Sequence, residues 1–165
     1  MSADTDNKKK PIYEWAVAKV GDSRRPESIQ VQPEKVALYA KTSGDSNPLF
    51  TDEAFAKSHG FKTVAVPIAM TTRVAPHKRR EIMAQNGYEA PVRPTPFARW
   101  TCKTFAPMKP GDTITSEAVV GDKFEKRGRK YITWRVVARN QDGEKVAEYD
   151  ATNSWEGAKP EDKTR

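Results

Sequence analysis

The apolar positions along this chain change rhythm halfway. In the second half, Ile132, Trp134, Val136 and Ala138 alternate with Tyr131, Thr133, Arg135 and Arg139. Side chains of an extended strand point to opposite faces in turn, so this spacing predicts a strand with one buried face. Phe97 to Ala106, Thr113 to Phe124, Tyr131 to Asn140 and Lys145 to Trp155 all read as strands. Pro110-Gly111-Asp112 and Asn140-Gln141-Asp142-Gly143 supply turn residues between them, and Lys126 to Lys130, which contains Gly128, predicts a hairpin loop. Strands joined in this way predict an antiparallel meander.

The first half reads mainly as helices and turns. Val31-Gln32-Pro33-Glu34 opens a helix with Pro33 near its first position, where a missing N–H costs nothing. Val36, Ala37, Leu38 and Ala40 give that helix its apolar side, and Gly44 ends it. Thr51 is the expected cap of a second, short helix with Ala54 and Phe55 on its buried side and Gly60 at its end. Val64 to Ala75 is the most apolar stretch and predicts a buried helix, with Pro67 near its start and Pro76 as a kink or restart. Lys78 to Gln85 continues it with a polar face up to Asn86-Gly87. Helices followed by an antiparallel sheet make an α+β arrangement, in which the sheet buries one face against a helix. The apolar helix at Ile68 to Ala75 is expected on the sheet's concave side.

Length and charge narrow this further. A chain of 165 residues suits one domain with one core, and neither an internal repeat nor a long linker divides it. The expected domain spans residues 11–156, with charged tails over 1–10 and 157–165. No run approaches the ~20 apolar residues of a membrane helix, and Met1 to Lys10 lacks the apolar stretch of a secretory signal. A single cysteine excludes an internal disulfide and fits a reducing cytoplasm, and with only two histidines beside it a metal site is not expected. The net charge of +7 is spread over the short runs Lys8 to Lys10, Lys78 to Arg80 and Lys126 to Lys130. Each reads either as solvated surface or as contact with an anionic partner such as a phosphate-rich cofactor. No aromatic-basic interleaving or named motif points to nucleic acid.

The chemistry concentrates in Tyr39-Ala40-Lys41-Thr42-Ser43-Gly44-Asp45-Ser46-Asn47-Pro48-Leu49-Phe50. As local structure this is a helix-ending turn in which Asp45 and Asn47 bond their own backbone and Pro48 fixes the exit. It also resembles the signature of the MaoC-like, R-specific enoyl-CoA hydratase family, an aromatic residue followed by Ser-Gly-Asp-x-Asn-Pro-Leu-His. Val20-Gly21-Asp22, the apolar helix after Gly60, Met108-Lys109-Pro110-Gly111-Asp112-Thr113 and Phe124-Glu125-Lys126-Arg127-Gly128-Arg129 match the same family in order. The resemblance covers roughly residues 17–156 and looks closest to the FAS1-like dehydratase N-terminal branch.

The resemblance implies a hotdog domain, an antiparallel sheet wrapped around a central apolar helix. It implies reversible addition of water across a 2-enoyl thioester carried by coenzyme A or acyl carrier protein, without a bound cofactor. In the family an Asp and a His handle the water's protons, and backbone N–H groups polarise the thioester carbonyl. The Asp falls on Asp45, the Asn on Asn47, and the His on Phe50. A phenyl ring carries no exchangeable proton, and losing a positioned acid–base group costs about 10²–10⁴ in rate. The carbonyl donors would lie near Ile68 and Ala69, since Pro67 has no N–H. Lys103, Lys126, Arg127 and Arg129 are the candidates for the pantetheine and phosphate groups. No other side chain replaces the imidazole: His59 reads as a helix-end residue, His77 as surface, and Cys102 as a small buried strand residue.

The leading expectation is therefore the His-less subunit of a heteromeric hydratase or dehydratase, a lyase whose partner, a second MaoC-like hotdog chain, holds the dyad. One alternative is a homodimeric hydratase using Asp45 with a nonstandard donor. Another is a non-catalytic acyl-CoA binding module or a thioesterase on the same fold.

Overall fold

A computed structural model describes residues 10–155. The tails expected over 1–10 and 157–165 fall outside that range, apart from Lys10. Five strands form one antiparallel sheet: β1 (Glu27–Gln30), β2 (Phe97–Thr104), β3 (Thr113–Lys126), β4 (Arg129–Arg139) and β5 (Lys145–Ser154), in the order β1-β3-β4-β5-β2. Four helices, α1 (Pro33–Ser43), α2 (Glu53–Ser58), α3 (Thr71–Val74) and α4 (Arg79–Gln85), lie between β1 and β2. No helix among the described residues is long and apolar enough to cross a membrane.

The α+β expectation holds, with two corrections to the strands. A strand at Glu27–Gln30 was not expected, because its four residues offer one apolar side chain, Ile29, after Pro26. The meander holds only for β3, β4 and β5. Strand β2 pairs with β5 at the far side of the sheet, so Pro110-Gly111-Asp112 begins β3 beside β1 and does not close a hairpin. Turn residues record that the chain bends, but not which strand it meets next.

The β4 alternation is as read. Ile132, Trp134, Val136 and Ala138 are buried, and their partners Asn153, Ala151, Tyr149 and Ala147 on β5 are buried with them. On β3, Val120, Ala118 and Ser116 complete the inner face. A bulge follows Val120, and Gly121 permits it: a Cβ there would lie 2.7 Å from Cβ of Arg135. The β3–β4 hairpin closes through Arg127 and Gly128, both at positive φ as a two-residue primed turn requires. Tyr13, Trp134 and Trp155 pack their rings together at one end of the core, with centroids 5.8 to 6.3 Å apart.

The helical half follows its sequence signals with shorter reach. Pro33 opens α1, and Gly44 ends it in the left-handed conformation at φ 67°. The cap of α2 is Asp52 rather than Thr51: its Oδ1 accepts the Phe55 N–H at 3.0 Å. The expected long buried helix is a 3-10 turn at Ile68–Met70 followed by the single turn of α3. The two prolines set these limits. Pro67 precedes the first turn, and Pro76 drives Ala75 out of the helical region, to φ −135° and ψ 66°. Met70, Thr71, Val74 and Ala75 are nevertheless buried against the sheet's inner face. Arg24, also buried, donates from Nη2 to the Pro76 carbonyl and to Ser116 Oγ, both at 2.8 Å, tying the bracketing proline to β3.

Candidate functional site

The loop from Gly44 to Phe50 is built by its own side chains. Asp45 Oδ1 accepts the Asn47 N–H at 3.0 Å, and Asn47 Oδ1 accepts the Leu49 N–H at 3.0 Å. Asn47 thereby caps the 3-10 turn Pro48–Phe50. The Ala65 N–H donates to the Leu49 carbonyl at 2.8 Å and stitches this turn to the segment before Pro67. Asp45 and Asn47 are exposed in the single chain, whereas Phe50 is half-buried.

Phe50 lines an apolar cavity of about 410 Å³, and Asp45 and Asn47 do not. Leu49, Phe61, Val66 and Ile68 form one wall of this cavity, and the end of β2 with Phe105, Ala106 and Met108 forms the other. Among the described residues lining it, none titrates, and Thr104 carries the only side-chain hydroxyl. Such a lining favours an apolar occupant. Sequence reading missed the Thr104–Met108 wall. Its signal was the apolar group Phe105-Ala106-Pro107-Met108, which continues beyond the strand pattern. A second cavity of about 460 Å³ lies between β1, α1 and α3, where the Arg73 guanidinium sits 5.6 Å from the centre of the Tyr39 ring.

The other nominated residues divide between locations. Ile68 reaches the apolar cavity; Ala69 is exposed on the same 3-10 turn. Neither of their N–H groups meets a backbone acceptor among the described residues, as at the open start of any helical segment. Lys103 is exposed on β2, and strand alternation places it on the opposite face from Cys102 and the cavity-lining Thr104. Lys126 lines a different groove, on the sheet's other face, with Arg99, Phe124 and Tyr131. Arg127 lies in the β3–β4 turn, and Arg129 opens β4 opposite Lys126. The fold thus brings Phe50 and Ile68 together and separates both from the four basic residues.

The remaining candidates are partly as read. His59 ends α2, with Nδ1 2.8 Å from the Phe55 carbonyl and its ring stacked on Phe55. His77 departs from the surface reading: it is half-buried, and burial, reinforced by the charges of Arg79 and Arg24, pushes its imidazole down to about 4. Cys102 is half-buried beside the core, and burial raises its thiol against a lowering hydrogen bond with Thr71. The two flanking Gly-Asp motifs are turns of one design: Asp22 Oδ2 accepts the Lys19 N–H at 3.0 Å, and Asp112 Oδ2 accepts the Lys109 N–H at 2.9 Å. Among the described residues no cluster of His, Cys, Asp or Glu could hold a metal ion.

Beside this site runs an edge strand. One edge of β2 bonds β5, the other meets no strand among the described residues, and nearly every residue of β2 is exposed. Phe97 is 59% exposed, Phe105 just past the strand 55%, Ile68 near the cavity mouth 55% and Trp100 36%. An exposed edge carrying large apolar side chains marks a pairing surface.

Comparison with known proteins fits this architecture. A family model described as the FAS1-like dehydratase domain region matches residues 18–149. No curated protein sequence matches the chain. Solved structures do. The HadBC (3R)-hydroxyacyl-ACP dehydratase complex from Mycobacterium tuberculosis matches with a TM-score of 0.69 at 20% identity, over 80% of this chain and 93% of that one. The (R)-hydratase of A. caviae involved in PHA biosynthesis gives 0.64 at 20% identity, over 85% and 98%. The ChsH1–ChsH2 complex from Mycobacterium tuberculosis gives 0.63 at 19% identity, over 84% and 98%.

Proposed function

The chain belongs to the FAS1-like dehydratase family, with the hotdog fold of MaoC-like hydratases, and on that footing we propose that it is the imidazole-free subunit of a 2-enoyl-thioester hydratase or 3-hydroxyacyl-thioester dehydratase. One observation carries the reading. The cavity beside the signature loop is lined by apolar side chains apart from Thr104, and the ring of Phe50 lines it at the position where the family signature has its histidine. A site of this kind holds an acyl chain and moves no proton.

The proton chemistry then belongs to a second hotdog chain. The free edge of β2, with Phe97 and Trp100 on it, is where that chain would add its own edge strand. The edge ends at Thr104, which lines the cavity, so a partner seated there adjoins the acyl site. Two of the similar solved structures are described as complexes. Asp45 would act only once a partner covers it, since its carboxylate is exposed in the single chain. A lone half-buried cysteine supports a cytoplasmic setting.

The test is hydration of crotonyl-CoA and a longer enoyl-CoA by the purified chain alone and after mixing with a MaoC-like chain bearing the intact Asp and His. The expected result is no turnover alone and turnover in the complex. Full activity of the isolated chain, lost in Asp45→Asn, would replace this reading with the homodimeric enzyme.

A further inference from the structure

The mouth of the apolar cavity carries a charge on one side only. Two large side chains line the cavity and are exposed as well, Ile68 on one wall and Phe105 on the other, each at 55%. Lining and exposure together place both at the mouth. Phe105 follows the end of β2, and its main chain is pinned there: its N–H donates at 3.0 Å to the carbonyl of Val146, itself a lining residue. The freedom left to this part of the wall lies in the ring, which can turn between rotamers while the backbone stays.

An ammonium group holds that ring. Lys145 Nζ lies 4.3 Å from the centre of the Phe105 ring, and the same group is ion-paired with Glu148. A cation at this range is attracted by the electron-rich face of the ring. The ion pair alone, partly exposed, would add little to stability. Over Phe105 it has a different consequence, because turning the ring off the cavity separates it from the ammonium. We propose that Phe105 is a gate to the cavity and that Lys145, steadied by Glu148, is the latch that keeps it shut. Lys145 does not line the cavity, so it is a positioning residue that acts through the ring. Calling the occupant an acyl chain rests on the thioester reading above; the gate itself requires only that the occupant be apolar.

The latch is made whether the cavity is empty or filled, so it should govern rates and leave affinity alone. The test is stopped-flow fluorescence of the full chain with N-phenyl-1-naphthylamine, a neutral apolar probe that a change of protein charge neither attracts nor repels. Lys145→Met keeps the aliphatic stem and removes the cation. Both association and dissociation should quicken by about two- to fivefold, the loss expected for an exposed cation–ring contact, with the dissociation constant unchanged. Lys145→Arg keeps a cation over the ring and should behave as the parent does. In a Phe105→Ala background, Lys145→Met should change neither rate. The proposal is overturned by unchanged rates in Lys145→Met, by a loss of affinity in place of the paired acceleration, by Lys145→Arg as fast as Lys145→Met, or by an equal effect without the ring. A parent chain that does not take up the probe overturns it as well. The probe is read without turnover, so a working latch in a chain that never supports hydration sinks only the thioester reading, and hydration by the complex does not rescue a failed latch.

Discussion

The hydroxyl of Tyr149 donates a 2.7 Å hydrogen bond to the carbonyl of Ala75, fastening the middle of β5 to the residue that ends α3. Both residues are buried, and Pro76 is what leaves that carbonyl pointing away from the helix. The bond therefore holds a truncated helix against the sheet where a longer one would hold itself. Tyr149→Phe keeps the ring and orphans the carbonyl, so it should cost about 1–2 kcal/mol. Guanidinium unfolding with an unchanged slope would measure it. A variant as stable as the parent would show that the bond adds nothing.

The bulge in β3 depends on one hydrogen atom. An alanine at Gly121 would place its Cβ 2.7 Å from Cβ of Arg135, an atom fixed to the neighbouring strand. Gly121→Ala should therefore destabilise by about 1–3 kcal/mol. Arg135→Gly removes the opposing atom, so in that background the same change should cost much less. A double-mutant cycle with no coupling would refute the steric explanation.

His77 should make stability depend on pH. In the unfolded chain a histidine takes up a proton near 6.5, whereas in the fold His77 does so at about 4. Between those values the unfolded state binds the extra proton. Stability is complete above that window and declines as the pH falls through it, by up to about 1.4 kcal/mol per pH unit. His77→Gln should flatten this part of the profile. Urea midpoints across the range, compared for parent and variant, decide the matter, and parallel curves would acquit His77.

The β2 edge should govern assembly. Phe97→Lys, alone and together with Trp100→Lys, places charge on a strand that is already exposed; Phe97 lies outside the core, while the Trp100 ring lies 6.2 Å from that of Tyr149. The expected outcome is an unchanged circular dichroism spectrum, with loss of whatever dimer or partner complex the parent forms in sedimentation. A complex that survives both lysines lies on another surface.

Sequence gave different kinds of information at different places. β4 was legible because one face is buried along its length, so each inward residue had to be apolar. Phe50 was legible because neighbouring motif residues marked its position, and the structure sets it on a cavity. β1 was not legible, since two of its four residues are exposed and its polar Ser28 and Gln30 resemble loop. The pairing of β2 with β5 spans some fifty residues, a distance at which periodicity says nothing. His77 looked like surface because it stands beside Lys78, Arg79 and Arg80, and charge and polarity normally mean exposure, whereas the fold half-buries it.

Main-chain pairing reads no side chains. The open flank of Phe97–Thr104 offers the same donors and acceptors to any strand that runs in the right direction, so choosiness about a companion must be written in Phe97, Trp100 and their surroundings. After a gene duplication, two copies sharing that flank can drift far apart in chemistry before they lose the ability to assemble. One copy can then give up its reactive groups while the other keeps them.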